Sequence, residues 1–329
     1  MKGSWHFFAA LVAGFALALG VTATGFYLNL GVPTDGAKWN YQVNEKKRLL
    51  AEKSPAPKLL LVGGSATLFG ISAKQIQEQT GWPTVSLATH AGLGTAYILY
   101  TGRRVAKPGD VVLLTLEYEL YWYGKVEQGW AAVSLIEYLI AGEPSFFLKE
   151  LTPEEQWNVF MLTSNRRLIR GLKHRSRREW PEGSFEVYDI RNINEWGDQA
   201  GHLDAKKPAR RESAMQSKTS LSYGMPAQPK GFPLVEAFCK WAQTNHVTVL
   251  ATFPNMCDAP EYHTPLAQET IKRIKQLYAG LNVPVLGEYT DALLPREQFY
   301  DTIYHPTEEA ARARTERLAR QLIPYLKKN

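Results

Sequence analysis

Three side chains in this sequence are of the types that nucleophilic acyl chemistry uses. Ser65 follows two glycines in "GGSATLFGI" (Gly63 to Ile71). Asp301 and His305 lie four residues apart in "DTIYH", ahead of a final helical pattern. A serine hydroxyl attacks poorly at neutral pH until a base takes its proton. An imidazole supplies the base, and a carboxylate on its other nitrogen fixes the tautomer and stabilises the imidazolium. Taken singly, each residue has a plainer reading: Ser65 as a helix N-cap, Asp301 as a turn residue, His305 as a surface residue before a proline. The combination points to a site because every role of a triad is filled.

A triad spread so widely along a chain needs a scaffold that returns its last loop to its first. "KLLLVGG" (Lys58 to Gly64) is a short apolar run stopped by glycines, the pattern of a strand buried on both faces. Further strands are expected at Pro83 to Thr89, Gly109 to Tyr118, Val247 to Pro254 and Val283 to Glu288. Helical patterns alternate with them at Ile71 to Gly81, Gly94 to Ala106, Leu234 to Asn245, Pro265 to Leu281 and Pro306 to Leu326. Strands separated by helices imply a parallel, five-stranded sheet in an α/β domain with helices on both faces. Sites in such sheets form at the carboxyl ends of the strands. Ser65 and the Asp301–His305 loop both fall on that rim.

The alternation is interrupted from about 121 to 232. Amphipathic helical patches (Trp130 to Gly142, Pro153 to Leu172) are followed by a polar stretch with little periodicity. This reads as an insertion carrying partner or substrate contacts. At the other end, Trp5 to Val32 contains no Asp, Glu, Lys or Arg and is long enough to cross a bilayer. Lys2 precedes it, which favours a cytoplasmic N-terminus and an extracytoplasmic domain, periplasmic or extracellular. "VTA" (Val21 to Ala23) has the small residues a signal peptidase accepts, but the apolar run continues past it, so an uncleaved anchor is expected. The organisation expected is therefore an anchor over 1–32, a polar stalk over 33–57 and an α/β domain over 58–329 carrying the insertion.

Of the 329 residues, 45% are hydrophobic and 21% charged, which suits a large buried core and argues against general disorder. The net charge of +6 is concentrated in Arg166 to Glu179 and Lys206 to Glu212. Such runs are usually solvated, although anionic lipid or an acidic polymer would also be attracted. No nucleic-acid motif accompanies them, so no nucleic-acid partner is expected. Cys239 and Cys257 leave a disulfide open. No Cys/His spacing suggests a metal site, and no cofactor is implied.

The Gly-Gly-Ser stretch and the late "DTIYH" resemble the first and last sequence blocks of the SGNH/GDSL hydrolase superfamily. The similarity is strongest to its membrane-anchored SGNH-like branch, found among proteins that modify cell-envelope polysaccharides and exopolysaccharides. It covers roughly Lys58 to Tyr118 and Thr248 to Leu326. The resemblance implies a flavodoxin-like three-layer fold and acyl-ester chemistry, either hydrolysis or transfer of an acetyl group to a sugar hydroxyl. It also implies a polysaccharide substrate and, as a partner, a membrane-bound acyltransferase or synthase. Two departures stand out. The Asp that usually precedes the serine is Gly64 here. The third block usually supplies an oxyanion-binding Asn, and Glu117 stands there, where a carboxylate would repel a developing oxyanion. Candidate oxyanion donors are the N–H groups of Gly92 and Gly94 in "ATHAGLG" and the side chains of Asn255 and His90. Loss of one such donor can cost ~2.7–4 kcal/mol of transition-state stabilisation. Glu117 therefore also favours a second reading, an inactive accessory subunit that binds polysaccharide or a synthase. Glu119 is expected to be solvated. The aromatics of Tyr118 to Trp130 suit either sugar stacking or packing.

Overall fold

Leu59–Gly63 (β1) is buried at every residue, as is Val111–Thr115 (β3). Only strands inside a sheet covered on both sides can bury consecutive residues in this way. The computed structural model describes residues 2–32, 38–125, 135, 138–139, 142–174, 188–200 and 220–326. It divides into two compact units, residues 1–41 with 132–183 and residues 42–131 with 184–329.

The second unit holds the sheet. Its strands are β1, Thr84–Ser86 (β2), β3, Thr248–Thr252 (β4) and Val285–Leu286 (β5). All neighbours pair parallel in the order β2-β1-β3-β4-β5. The parallel sheet with helices on both faces is what the alternation predicts, and its flavodoxin-like α/β/α arrangement is what the resemblance implies. The period of two along each strand divides the core. Leu60, Val62, Val112, Leu114 and Val249 face one layer, which also holds Ile98, Phe238 and Ile271. Leu59, Leu61, Val111, Leu113 and Leu250 face the other, with Ile76, Leu318 and Leu322.

The helices follow the expected positions to within a few residues. They are Ser65–Gly70 (α3) and Ala73–Thr80 (α4) after β1, Gly94–Val105 (α5) after β2, then Phe232–Thr244 (α9), Pro265–Gly280 (α10) and Glu308–Leu322 (α11). A further helix, Lys38–Lys53 (α2), lies where the sequence suggests a stalk. From residue 42 it belongs to the second unit, and Val43, Lys47 and Ala51 are buried. The stalk reading is corrected here. Polar composition masked a helix whose buried positions share one face: Val43, Lys47 and Ala51 are spaced by four, and only two of the three are apolar.

At the end of the sheet away from Ser65, Lys58 and Asp110 form a fully buried ion pair, Nζ to Oδ2 at 2.8 Å. Asp110 also accepts the Lys58 and Lys107 backbone N–H groups. The edge of β2 is covered by the insertion, where Ser86 N donates to Trp196 O at 2.8 Å. Covering the edge removes a template for unwanted strand pairing. Cys239 and Cys257 are both buried and unbridged.

The first unit contains Lys2–Tyr27 (α1), Pro144–Glu150 (α6), Pro153–Leu162 (α7) and Asn165–His174 (α8). The helical pattern expected over Pro153 to Leu172 is carried by two helices, α7 and α8. Ser164 Oγ accepts the Arg167 N–H and starts the second one. The Lys206 to Glu212 run and most of Trp130 to Gly142 lie outside the described residues.

Candidate active site

The site is assembled on one rim of the second unit from four loops. The first follows β1. Its Gly63 and Gly64 are forced by contact: a Cβ at Gly63 would lie 2.3 Å from Thr115 O, and one at Gly64 would lie 2.4 Å from Glu117 Oε1. Ser65 then opens α3, half-buried, and its side chain makes no hydrogen bond among the described residues. Four residues on, one helical turn along the same face, Phe69 stacks on the His305 ring at 4.1 Å between centroids and 18° between planes. Pro306 lies against Gly70, since a Cβ there would be 3.6 Å from its ring. The last loop is therefore laid along α3, and the structure brings Ser65 and His305 to one helix.

That loop is a closed hairpin. Phe299 and Pro306 bridge antiparallel, Tyr300 N donates to His305 O and Thr307 N donates to Gln298 O. Within it, His305 Nδ1 and Asp301 Oδ1 are 2.8 Å apart. A carboxylate only accepts, so Nδ1 carries the proton and Nε2 keeps the lone pair of a base. His305 is 4% exposed, so its orientation is held by packing as well as by Asp301.

Glu117, at the start of the loop after β3, has an unexpected role. Its carboxylate accepts the Gly64 N–H at 3.2 Å and the Ala66 N–H at 2.8 Å, the amides on either side of Ser65. It thus fills the place a side chain at position 64 would take and holds the start of α3. Both oxygens are turned to the backbone. Burial pushes its pKa up to about 7, against the opposing effect of the backbone N–H bonds. Glu119 is not simply solvated, because it accepts the Tyr304 hydroxyl at 2.9 Å and ties the third loop to the last.

In the second loop His90 Nδ1 accepts the Gly92 N–H at 2.9 Å, so its proton sits on Nε2, the opposite tautomer to His305. Burial, with the His305 charge second, lowers its pKa to about 4 and keeps the ring neutral. Buried Lys47 of α2 donates to Ala88 O and anchors this loop from behind. The expected donors fare unevenly. The Gly92 N–H is engaged by His90, and the Gly94 N–H by Ala91 O. Asn255 Nδ2 faces Gly70 O at 3.5 Å, at the far end of α3, so the structure does not bring it to Ser65. Ser65's own N–H, at the first position of α3, has no acceptor within the helix.

Tyr118 and Tyr121 are core residues, the latter bonded to the Tyr278 hydroxyl at 2.8 Å, which excludes them from stacking on a ligand. Trp130 is outside the described residues. Beside Phe69 a cleft of about 550 Å³ opens among Ser72, Gln75, Asn194, Glu308 and Arg312. Among the described residues no group of three His, Cys, Asp or Glu side chains is placed to hold a metal. Nothing in the sequence alone marks Phe69 or Tyr304 as part of the site. Phe69 is legible afterwards as the aromatic one turn beyond Ser65.

No protein-family model matches the chain, and no curated protein is similar to it in sequence. Among solved structures, protein YxiM from Bacillus subtilis aligns over 82% of this chain at 11% identity and a TM-score of 0.37. The alignment spans 57% of the YxiM chain.

Proposed function

We propose that this protein is an SGNH-type serine esterase or O-acyltransferase, anchored by α1, that acts outside the cytoplasm on an envelope or secreted polysaccharide. The observation that carries the reading is the Asp301–His305 pair stacked on Phe69, one turn from Ser65. Ser65 Oγ adds to the ester carbonyl while His305 Nε2 takes its proton. Asp301 steadies the imidazolium through Nδ1–H. The oxyanion meets the Ser65 N–H, the amide at the start of α3. The tetrahedral adduct then expels the alcohol, protonated by His305, and leaves an acyl-serine. Water or a sugar hydroxyl attacks it by the same steps in reverse. A membrane-bound acyltransferase or synthase would supply or receive the polymer. The apolar Trp5–Tyr27 helix, 23 residues or ~35 Å long, supports the anchor, and Lys2 before it supports the orientation.

The test is p-nitrophenyl acetate turnover by the full chain in detergent, beside Ser65→Ala and His305→Ala. Both variants should fall to background, and Ser65→Ala should also lose fluorophosphonate labelling. Undiminished release by folded Ser65→Ala would overturn the reading. An accessory, non-catalytic role is the second reading. It is favoured by the absence of a Ser65–His305 hydrogen bond and by the engaged N–H groups of Gly92 and Gly94. Catalytic hydrogen bonds often tighten only around substrate, so both observations are also compatible with turnover. A folded chain with no turnover that binds an acidic polysaccharide would establish the second reading.

A further inference from the structure

The first unit carries apolar side chains that its own packing leaves bare. Trp157 and Met161 on α7 are 51% and 61% exposed, and Ile169 and Leu172 on α8 are 57% and 45% exposed. They are not scattered. Trp157 and Met161 are four residues apart, and Ile169 and Leu172 three, so each pair shares a helix face.

The sectors of α8 are separable at 3.6 residues per turn. Arg167, Leu168 and Gly171 form the buried side. Ile169 and Leu172 form the next sector. Arg166, Arg170 and Lys173, at spacings of four and three, form a basic stripe beside it.

What α8 packs against fixes its level. Arg167 donates to Asn29 Oδ1 at 2.7 Å and to Val32 O at 3.2 Å, and Asn29 Nδ2 donates to Leu168 O at 3.1 Å. A Cβ at Gly171 would lie 1.4 Å from Asn29 Oδ1, so the glycine lets α8 cross here. Phe26 packs on Phe147 of α6 and Phe160 of α7 at 5.6 and 5.5 Å. All of these contacts are with the last turn of α1 or the residues just after it. The apolar span ends at Tyr27, and none of its residues before Phe26 is buried.

We propose that α7 and α8 form a membrane-surface platform. Their bare apolar faces sink into the lipid leaflet where α1 emerges, and Arg166, Arg170 and Lys173 meet anionic headgroup phosphates. The inference rests on the reading of α1 as a bilayer span. Continuity supports it, because the exposed faces are packed at the end of a helix whose apolar surface is itself bare. Charge supports it as well, because a basic stripe flanking an apolar stripe is the pattern of an interfacial helix. A tryptophan at this level is common at a headgroup boundary. The platform would hold the first unit down on the leaflet.

The test uses the full chain with Cys239 and Cys257 replaced by alanine, reconstituted in phosphatidylethanolamine–phosphatidylglycerol vesicles. An environment-sensitive fluorophore is placed at Met161→Cys, Ile169→Cys or Leu172→Cys, with exposed Lys272→Cys in the second unit as the control. The three platform labels should show iodide quenching reduced at least about threefold relative to the control. A nitroxide high on the acyl chain should quench them more than one near the bilayer centre. Labels as iodide-accessible as the control, in a chain that resists carbonate extraction, would overturn the platform and leave the anchor standing. Labels shielded from iodide yet untouched by lipid nitroxides would also overturn it, in favour of a protein neighbour. Release of the chain by carbonate would overturn the anchor and the platform together.

Discussion

Gly64 and Glu117 should behave as one unit. Replacing Gly64 with alanine places a Cβ 2.4 and 2.5 Å from the two Glu117 oxygens and 2.7 Å from its carboxyl carbon. Gly64 has φ −91°, outside the left-handed region, so contact is the main cost. The carboxylate must move and give up the Gly64 and Ala66 N–H groups. Overpacking of this kind costs about 1–3 kcal/mol, and a hydrogen bond to a charged group is worth about 1.5–3. Release of a buried carboxylate offsets part of the loss, so about 3 kcal/mol is expected for Gly64→Ala. Glu117→Ala should cost about 2 kcal/mol, because two backbone donors lose their acceptor. In the double variant the clash has no partner, and the added methyl occupies vacated space. The pair should therefore recover at least about 1 kcal/mol relative to the sum of the single changes. Guanidinium unfolding of the full chain in detergent measures the three costs, and the fluorophosphonate labelling rate reports where Ser65 sits. Costs that add to within about 0.5 kcal/mol would refute the coupling. So would a Gly64→Ala chain as stable as the parent.

Other outcomes follow from the same contacts. Glu117 has its pKa raised from 4.5 to about 7 in the fold, so the folded chain holds a proton there that the unfolded chain releases. That contribution to stability is fully present below 4.5 and is lost as pH rises through about 7, a change of about 3 kcal/mol. Melting of the parent should fall more between those limits than melting of Glu117→Gln, and parallel curves would refute it. His90 titrates in the opposite sense. Its lowered pKa means stability is lost as pH falls from 6.5 through about 4, and His90→Gln should flatten the acid limb of the melting curve. Asp110→Ala leaves Lys58 buried without its partner and should cost about 3–5 kcal/mol in unfolding experiments, with turnover per folded molecule unchanged. A chain begun at Lys58 removes buried Val43, Lys47 and Ala51 and should lose cooperative unfolding, whereas one begun at Lys38 should keep it.

What could be read from the sequence and what could not divide along a physical line. The five strands were legible because each is a short apolar run between turn residues, and a parallel sheet buries both faces of such a run. The flanking helices were legible from period and stop signals, as with Gly81 in the left-handed conformation that ends α4. The residues of the proposed triad could be named because their types are rare in combination. Their environment could not, because it depends on contacts between distant segments. Glu117, standing where the resemblance implies an amide, reads as a repulsive charge until the fold shows Gly64 and Ala66 donating to it. Gly92 reads as an available donor until His90 is seen to accept its N–H. The helix α2 reads as a stalk because Asn40, Asn44 and Lys47 are buried beside Val43 and Ala51, so its inner face shows no apolar stripe. These differences share a cause. A local pattern records what a residue is able to do, whereas a buried polar group does what its neighbours leave unsatisfied. Here two such neighbours are the backbone amides around Ser65, so the chemistry of the site turns on a carboxylate engaged by the loop it was expected to oppose.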